Sequence, residues 1–135
     1  MKEIIFSHDA GGAECLSAYL RLFKDENRIY KLSGPAIKIY KKLNLVDNKY
    51  KINLKNWGSE ITSIVASVSW ENNNWFKALK IAKEKKIDST VMLDSWSDYR
   101  KIFGYPKKNW QINLPNNLIV NDKLSYSIIK KLNLD

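Results

Sequence analysis

The stretch Ile4-Ile5-Phe6-Ser7-His8-Asp9-Ala10-Gly11-Gly12-Ala13-Glu14 decides the fold. A short apolar run of β-forming residues ends in a polar loop with two glycines. Helical spacing follows at once, with Leu16, Tyr19, Leu20 and Phe23 on one face of a helix predicted over 13–24. Strand, loop and helix in that order open an α/β sheet, and in such sheets ligands sit where strands end and helices begin. The loop carries His8, the only histidine of the chain, next to Asp9.

The same alternation runs on through the chain. Strands are predicted at 3–6, 28–32, 64–68, 90–93 and 118–120. Helices are predicted at 36–43, 74–85 and 122–132, with a short helix or ordered loop at 95–103. Ser33-Gly34-Pro35 is a turn with proline placed to start a helix. In the last helix Leu124, Ile128, Ile129 and Leu132 are expected on the buried side. Residues 44–56 read as a polar, extended connection with room for a short strand, and 57–61 as a short helical turn. The expectation is one α/β domain over 1–135. It has three Rossmann-like layers, and its mainly parallel sheet has about five strands.

Composition narrows the class. A chain of 135 residues can bury a core without staples. Cys15 is the single cysteine and cannot form an internal disulfide, which fits a reducing cytoplasm. Charges interrupt the N-terminal apolar run, and no stretch approaches transmembrane length. The 23 basic and 14 acidic residues give a formal charge of +9, spread over loops and helix ends as on a solvated surface. Anionic substrates, an anionic membrane surface and an acidic partner all suit that balance. Sequence-specific nucleic acid does not, since no such motif is present and lysine dominates over arginine.

The unusual residues fall at strand ends. In the first loop, Gly11 and Gly12 let the backbone approach a ligand and turn into the helix. His8 is a candidate general base near neutral pH, and Asp9 a candidate to orient it or to contact a hydroxyl. The plainer alternative makes His8 a turn residue and Asp9 a helix cap. The third strand runs into Ser67-Val68-Ser69-Trp70-Glu71-Asn72-Asn73-Asn74-Trp75. Here Trp70 offers a flat face for a sugar or base, and Ser69 and Glu71 offer groups for hydroxyls. An Asn cap with tryptophan packed over the sheet edge is the alternative. The fourth strand ends at Asp94, with Tyr99 and Arg100 one or two helical turns on. Arg100 either pairs with Asp94 or Asp98 or binds a phosphate. One histidine, one cysteine and scattered carboxylates offer no metal-ligand spacing. GxGxxG, P-loop and G-x-S-x-G signatures are all missing.

Taken together, Ser7-His8-Asp9-Ala10-Gly11-Gly12-Ala13-Glu14, Gly34-Pro35-Ala36, Ser67-Val68-Ser69-Trp70-Glu71 and Leu93-Asp94-Ser95-Trp96-Ser97-Asp98-Tyr99-Arg100 resemble a known group. It is the N-terminal half of GT-B-type nucleotide-sugar proteins, the UDP-N-acetylglucosamine 2-epimerases and related glycosyltransferases. The resemblance spans nearly the whole chain. It implies a role in bacterial polysaccharide biosynthesis, with a nucleotide-sugar as substrate and no separate cofactor. It places a catalytic base or acceptor contact at His8 or Asp9. Beside them, Gly11, Gly12, Glu14, Ser69, Trp70, Glu71, Asp94, Tyr99 and Arg100 are the candidate ligand contacts of the strand-end loops. Proteins of this type use a second domain for most of the nucleotide-sugar. The implied partner is therefore a C-terminal half on a separate chain, in a split glycosyltransferase or epimerase. Trp70, Trp96 and Tyr99 are then candidates for the shared interface. Two other classes stay open: a binding or regulatory module without catalysis, and a small stand-alone enzyme with His8 as base.

Overall fold

Among residues 2–23, 25–47 and 59–134, which the computed structural model describes, strands and helices alternate. In chain order they are β1 (Lys2–Ser7), α1 (Ala10–Leu22), β2 (Arg28–Leu32), α2 (Pro35–Lys42), β3 (Ile61–Ser67), α3 (Asn74–Lys85), β4 (Asp88–Leu93), a one-turn α4 (Tyr99–Ile102), β5 (Asn117–Val120) and α5 (Lys123–Lys131). The five strands form one parallel sheet in the order β2-β1-β3-β4-β5. The chain thus winds outward from β1 in one direction and from β3 in the other. The switch point lies between β1 and β3, and a crevice at such a point is the usual ligand site.

Both faces of the sheet are covered, because strand side chains alternate. Ile5, Val65 and Met92 point to one side and pack with Leu16, Leu20 and Ala36 of α1 and α2. Ile4, Ile64, Ala66 and Val91 point to the other and pack with Ala78, Leu79 and Ala82 of α3 and with Ile129 of α5. That two-sided burial explains why the central strands read as unbroken apolar runs.

Several boundaries differ from the sequence expectation. Helix α1 starts at Ala10, a turn early, so Gly11 and Gly12 belong to its first turn and form no loop. The physical reason is close approach. A β-carbon at Gly12 would stand 2.8 Å from Cβ of Ser67, so the glycine lets the helix lie directly on β3. Phe23, expected on the buried face, is exposed just beyond the end of α1. Leu124, expected inside, is exposed, and the inward face of α5 is carried by Ile129 with Ile128 and Leu132. Glu60 belongs to a turn and Ile61 opens β3, where a helical turn was expected. Residues 44–46 turn and bend back on the end of α2, where the extended connection was expected to begin, and the rest of that connection and of the turn, residues 48–58, lies outside the described residues. A 3-10 turn at Trp110–Asn113 precedes β5, and no periodicity announces it. No helix among the described residues is long and apolar enough to cross a membrane.

Candidate functional site

The site grows from the carboxyl end of β1. After Ser7 the strand stops, and His8 and Asp9 bridge to α1. Asp9 occupies the N-cap position, yet its side chain makes no cap bond. The carboxylate instead reaches across the switch point. Oδ1 accepts from Ser69 Oγ at 2.6 Å, and Oδ2 accepts from the Trp70 backbone N–H at 3.0 Å. His8 Nδ1 lies 2.8 Å from Asp9 Oδ1. An ionised carboxylate only accepts, so Nδ1 carries the proton. In the neutral ring Nε2 is then the unprotonated nitrogen.

The surroundings fix this pair. Below it, the buried hydroxyls of Ser7 and Ser67 bond at 2.9 Å and tie β1 to β3. Gly34, at φ +53°, sits against the imidazole, and a β-carbon there would stand 2.6 Å from Nε2. Ser69 is buried and organises its own loop: its Oγ accepts from the N–H groups of Glu71 at 3.2 Å and Asn72 at 3.1 Å. Asn72 then donates to Ser33 Oγ at 3.1 Å, linking the loop after β3 to the loop after β2. Trp75 Nε1 donates to the Ser69 carbonyl at 3.0 Å and locks the loop to α3.

Electrostatics separates the two strand-end aspartates. Burial raises the Asp9 carboxyl, but hydrogen bonds from Ser69, Trp70 and His8, with the imidazole's charge, outweigh it and hold it below the usual value. Burial also raises Asp94. Bonding to its own backbone opposes that and the nearby Asp9 charge adds to it, so Asp94 stays above the ordinary range. Asp94 lies against α1, where a β-carbon on Gly11 would stand 2.8 Å from its Oδ2. Glu71 Oε2 lies 3.9 Å from His8 Nδ1, and this carboxylate is mostly exposed. His8, Asp9 and Glu71 thus bring one imidazole nitrogen and two carboxylates within 4.8 Å of one another, a juxtaposition that sequence spacing does not display. The His8–Asp9 hydrogen bond accounts for its shortest pair without a cation.

The fold therefore gathers His8, Asp9, Ser69, Trp70, Glu71 and Asp94 at one edge of the sheet. Other expected contacts fall elsewhere. Tyr99 is buried in the core and its hydroxyl donates to the Ser95 carbonyl, so it faces neither ligand nor partner. Arg100 pairs with neither Asp94 nor Asp98 among the described residues. Its Nη2 donates to the Leu132 carbonyl at 3.3 Å, at the C-terminal end of α5, while Lys101 takes Asp98 at 3.0 Å. Glu14 is exposed on the second turn of α1. Trp70 and Trp96 are exposed, and Trp96 Nε1 donates to Asp122 at 2.8 Å.

Next to the His8 crevice runs a groove of about 660 Å³, sharing Ser69, Trp70, Glu71 and Asn72 with it. It is also lined by Phe76, Lys80, Ile102, Lys107 and Asn113. None of these was singled out from sequence as a contact. Lys107 lies in a basic loop that reads as solvated charge, and Lys80 lies within α3.

No protein-family model, curated protein or solved structure matches the chain. Fold and site define the class by themselves. It is a doubly wound α/β domain with a histidine–aspartate pair at its topological switch point.

Proposed function

We propose that the switch-point crevice binds a sugar-related ligand and that His8 acts there as a general base. The chain would serve as the N-terminal half of a GT-B-like protein of bacterial surface-glycan metabolism, one subunit of a split glycosyltransferase. The observation that carries this is the relay from Ser69 through Asp9 to His8, which crosses from β3 to β1. In it Asp9 keeps Nδ1 protonated and steadies the imidazolium that forms when Nε2 takes a proton from an acceptor hydroxyl. The exposed Trp70 indole beside it suits the apolar face of a sugar ring.

Glycosyl transfer also requires a donor diphosphate held against the acceptor, and much of the rate comes from holding both. This domain supplies one wall of that arrangement. The test is a transfer assay with UDP-sugars, with and without a candidate partner subunit. The expected result is little turnover by the chain alone. With the partner, turnover appears and falls about 10²- to 10⁴-fold in His8→Ala, the range for losing a general base. The relay is complete within one chain, which favours a second reading, a small stand-alone enzyme. Robust His8-dependent turnover without any partner selects that reading. Ligand binding without turnover in either setting selects a binding module.

A further inference from the structure

The two edge strands of the sheet are built differently. β2 carries the buried Lys31 and Arg28, which donates to Glu3 at 2.8 Å and to the Leu20 carbonyl at 3.0 Å. β5 carries no charge, no proline and no register shift against β4. Charges, prolines and bulges are the usual guards of an edge against a further strand. Among the described residues β4 is the only strand paired with β5, and no loop or helix makes a backbone bond to it. All four residues of β5 keep some exposure.

The composition around this edge is unusual too. From Asn109 to Asn121 the chain holds no charged residue, although such residues make up 27% of it. Burial explains the other long uncharged run, Ile61–Trp70, which is mostly the central strand β3. Burial does not explain this one, since Gln111, Ile112, Asn116 and Asn117 are exposed. Beside the strand lies an apolar groove of about 370 Å³, lined by Leu114, Leu118, Val120, Tyr126, Ile129 and Leu134.

We infer that the β5 edge, with this groove, pairs with the same edge of a second copy of the chain. Charge decides the occupant. Each copy carries +9, so two copies repel wherever their lysines meet. An uncharged strip is where they can touch, and a twofold axis sets that strip against itself. An acidic partner is drawn to lysines instead, and the strip has none. The twofold makes the paired β5 strands antiparallel and joins two five-stranded sheets into one. The groove then adds apolar burial to the few backbone bonds of a short strand. The strip is shorter than the roughly 20–30 residues a side of a standard interface, so the pairing is weak, in the micromolar range. The crevice stays open, because β4 stands between β3 and the new contact. In the dimer the two crevices face opposite ways.

The test is sedimentation equilibrium of the 135-residue chain from about 1 to about 300 µM, which brackets a micromolar dissociation constant. The proteins are wild type, Asn117→Lys/Tyr126→Lys and Leu22→Lys. The double variant charges two exposed positions at the edge and groove, and the single one charges the exposed end of α1. The expected result is a wild type that passes from monomer to dimer with concentration. Its dimer tightens with added salt, which screens the repulsion of the net charge and of Lys130, whose Nζ lies over the Tyr126 ring. The double variant self-associates at least about tenfold more weakly, and Leu22→Lys matches wild type. Circular dichroism checks that both variants are folded. Amide hydrogen exchange of the wild type gives an answer that needs no variant: the N–H groups of β5 facing away from β4 slow as concentration rises. A monomer at every concentration overturns the inference. So does a dimer that the double variant leaves intact, that Leu22→Lys abolishes, or that forms without slower exchange in β5. Association that weakens with salt marks an ionic contact elsewhere and also overturns it. His8 and the crevice take no part, so the sugar-site reading stands or falls separately.

Discussion

At the scale of single residues, Asp9 holds the site together. Its carboxylate takes three donors: the Ser69 hydroxyl, the Trp70 N–H and His8. In Asp9→Asn the amide nitrogen must face one of those donors. The variant should lose about 1.5–3 kcal/mol, the range for hydrogen bonds to a charged group. The sign with pH follows from the lowered carboxyl. Its stabilisation is present above the unfolded value and is lost as pH falls through the folded one. Urea midpoints of wild type and Asp9→Asn should therefore differ near neutrality and converge in acid, well below about pH 4. Asp94 has the opposite sign. Its raised carboxyl means that ionisation costs stability as pH rises past the unfolded value, so Asp94→Asn should flatten the profile there. Gly34 is a third test. At φ +53°, and with an added β-carbon 2.6 Å from the imidazole, Gly34→Ala should both destabilise the fold and push His8 off Asp9. The imidazole's NMR signals would report the displacement. Much of this was legible in sequence. His8, Asp9, Ser69, Glu71 and Asp94 are polar residues at strand ends, where parallel strands bring loops together. Gly11 and Gly12 were legible as special but not in their role, because contact with Ser67 and Asp94 is a tertiary fact.

At the scale of elements, the loop after β3 owes its shape to α3. Trp75 is buried and its indole N–H ends on the Ser69 carbonyl. Trp75→Phe keeps most of the apolar packing and orphans that carbonyl. A loss of about 1–3 kcal/mol follows, seen as a lower urea midpoint, together with weaker binding at the Ser69–Asn72 turn. Helix α1 has a similar dependence on β3. Gly12→Ala drives a methyl to 2.8 Å from the Ser67 side chain and 3.2 Å from the Val68 carbonyl. Overpacking of that kind costs about 1–3 kcal/mol. The strands and the long helices were readable, since β-branched runs and helical spacing are local signals. Leu124 and Phe23 were not, because which side of a terminal turn meets the core depends on the partner element. Arg100 was misplaced for the same reason. From sequence it stands near Asp94, and in the fold its side chain leads away to α5.

At the scale of the whole molecule, the parallel sheet carries the functional conclusion. Parallel strands finish on one edge, so convergence of the strand-end loops follows from the αβ alternation alone. The order β2-β1-β3-β4-β5 was not readable, because it depends on how each crossover helix packs. Yet that order places β1 beside β3, and so sets Asp9 against Ser69. Because His8 is the only histidine, its ring can be observed without interference. The most direct measurement is the nitrogen-15 spectrum of that imidazole, in the deprotonated ring and during titration with UDP-N-acetylglucosamine. The predicted result is the tautomer with hydrogen on Nδ1 and a bare Nε2, lost in Asp9→Asn, with the Nε2 signal shifting as the nucleotide-sugar binds. A ring protonated on Nε2, or an Nε2 signal that stays fixed while the ligand saturates the protein, would contradict a His8-based site at the switch point.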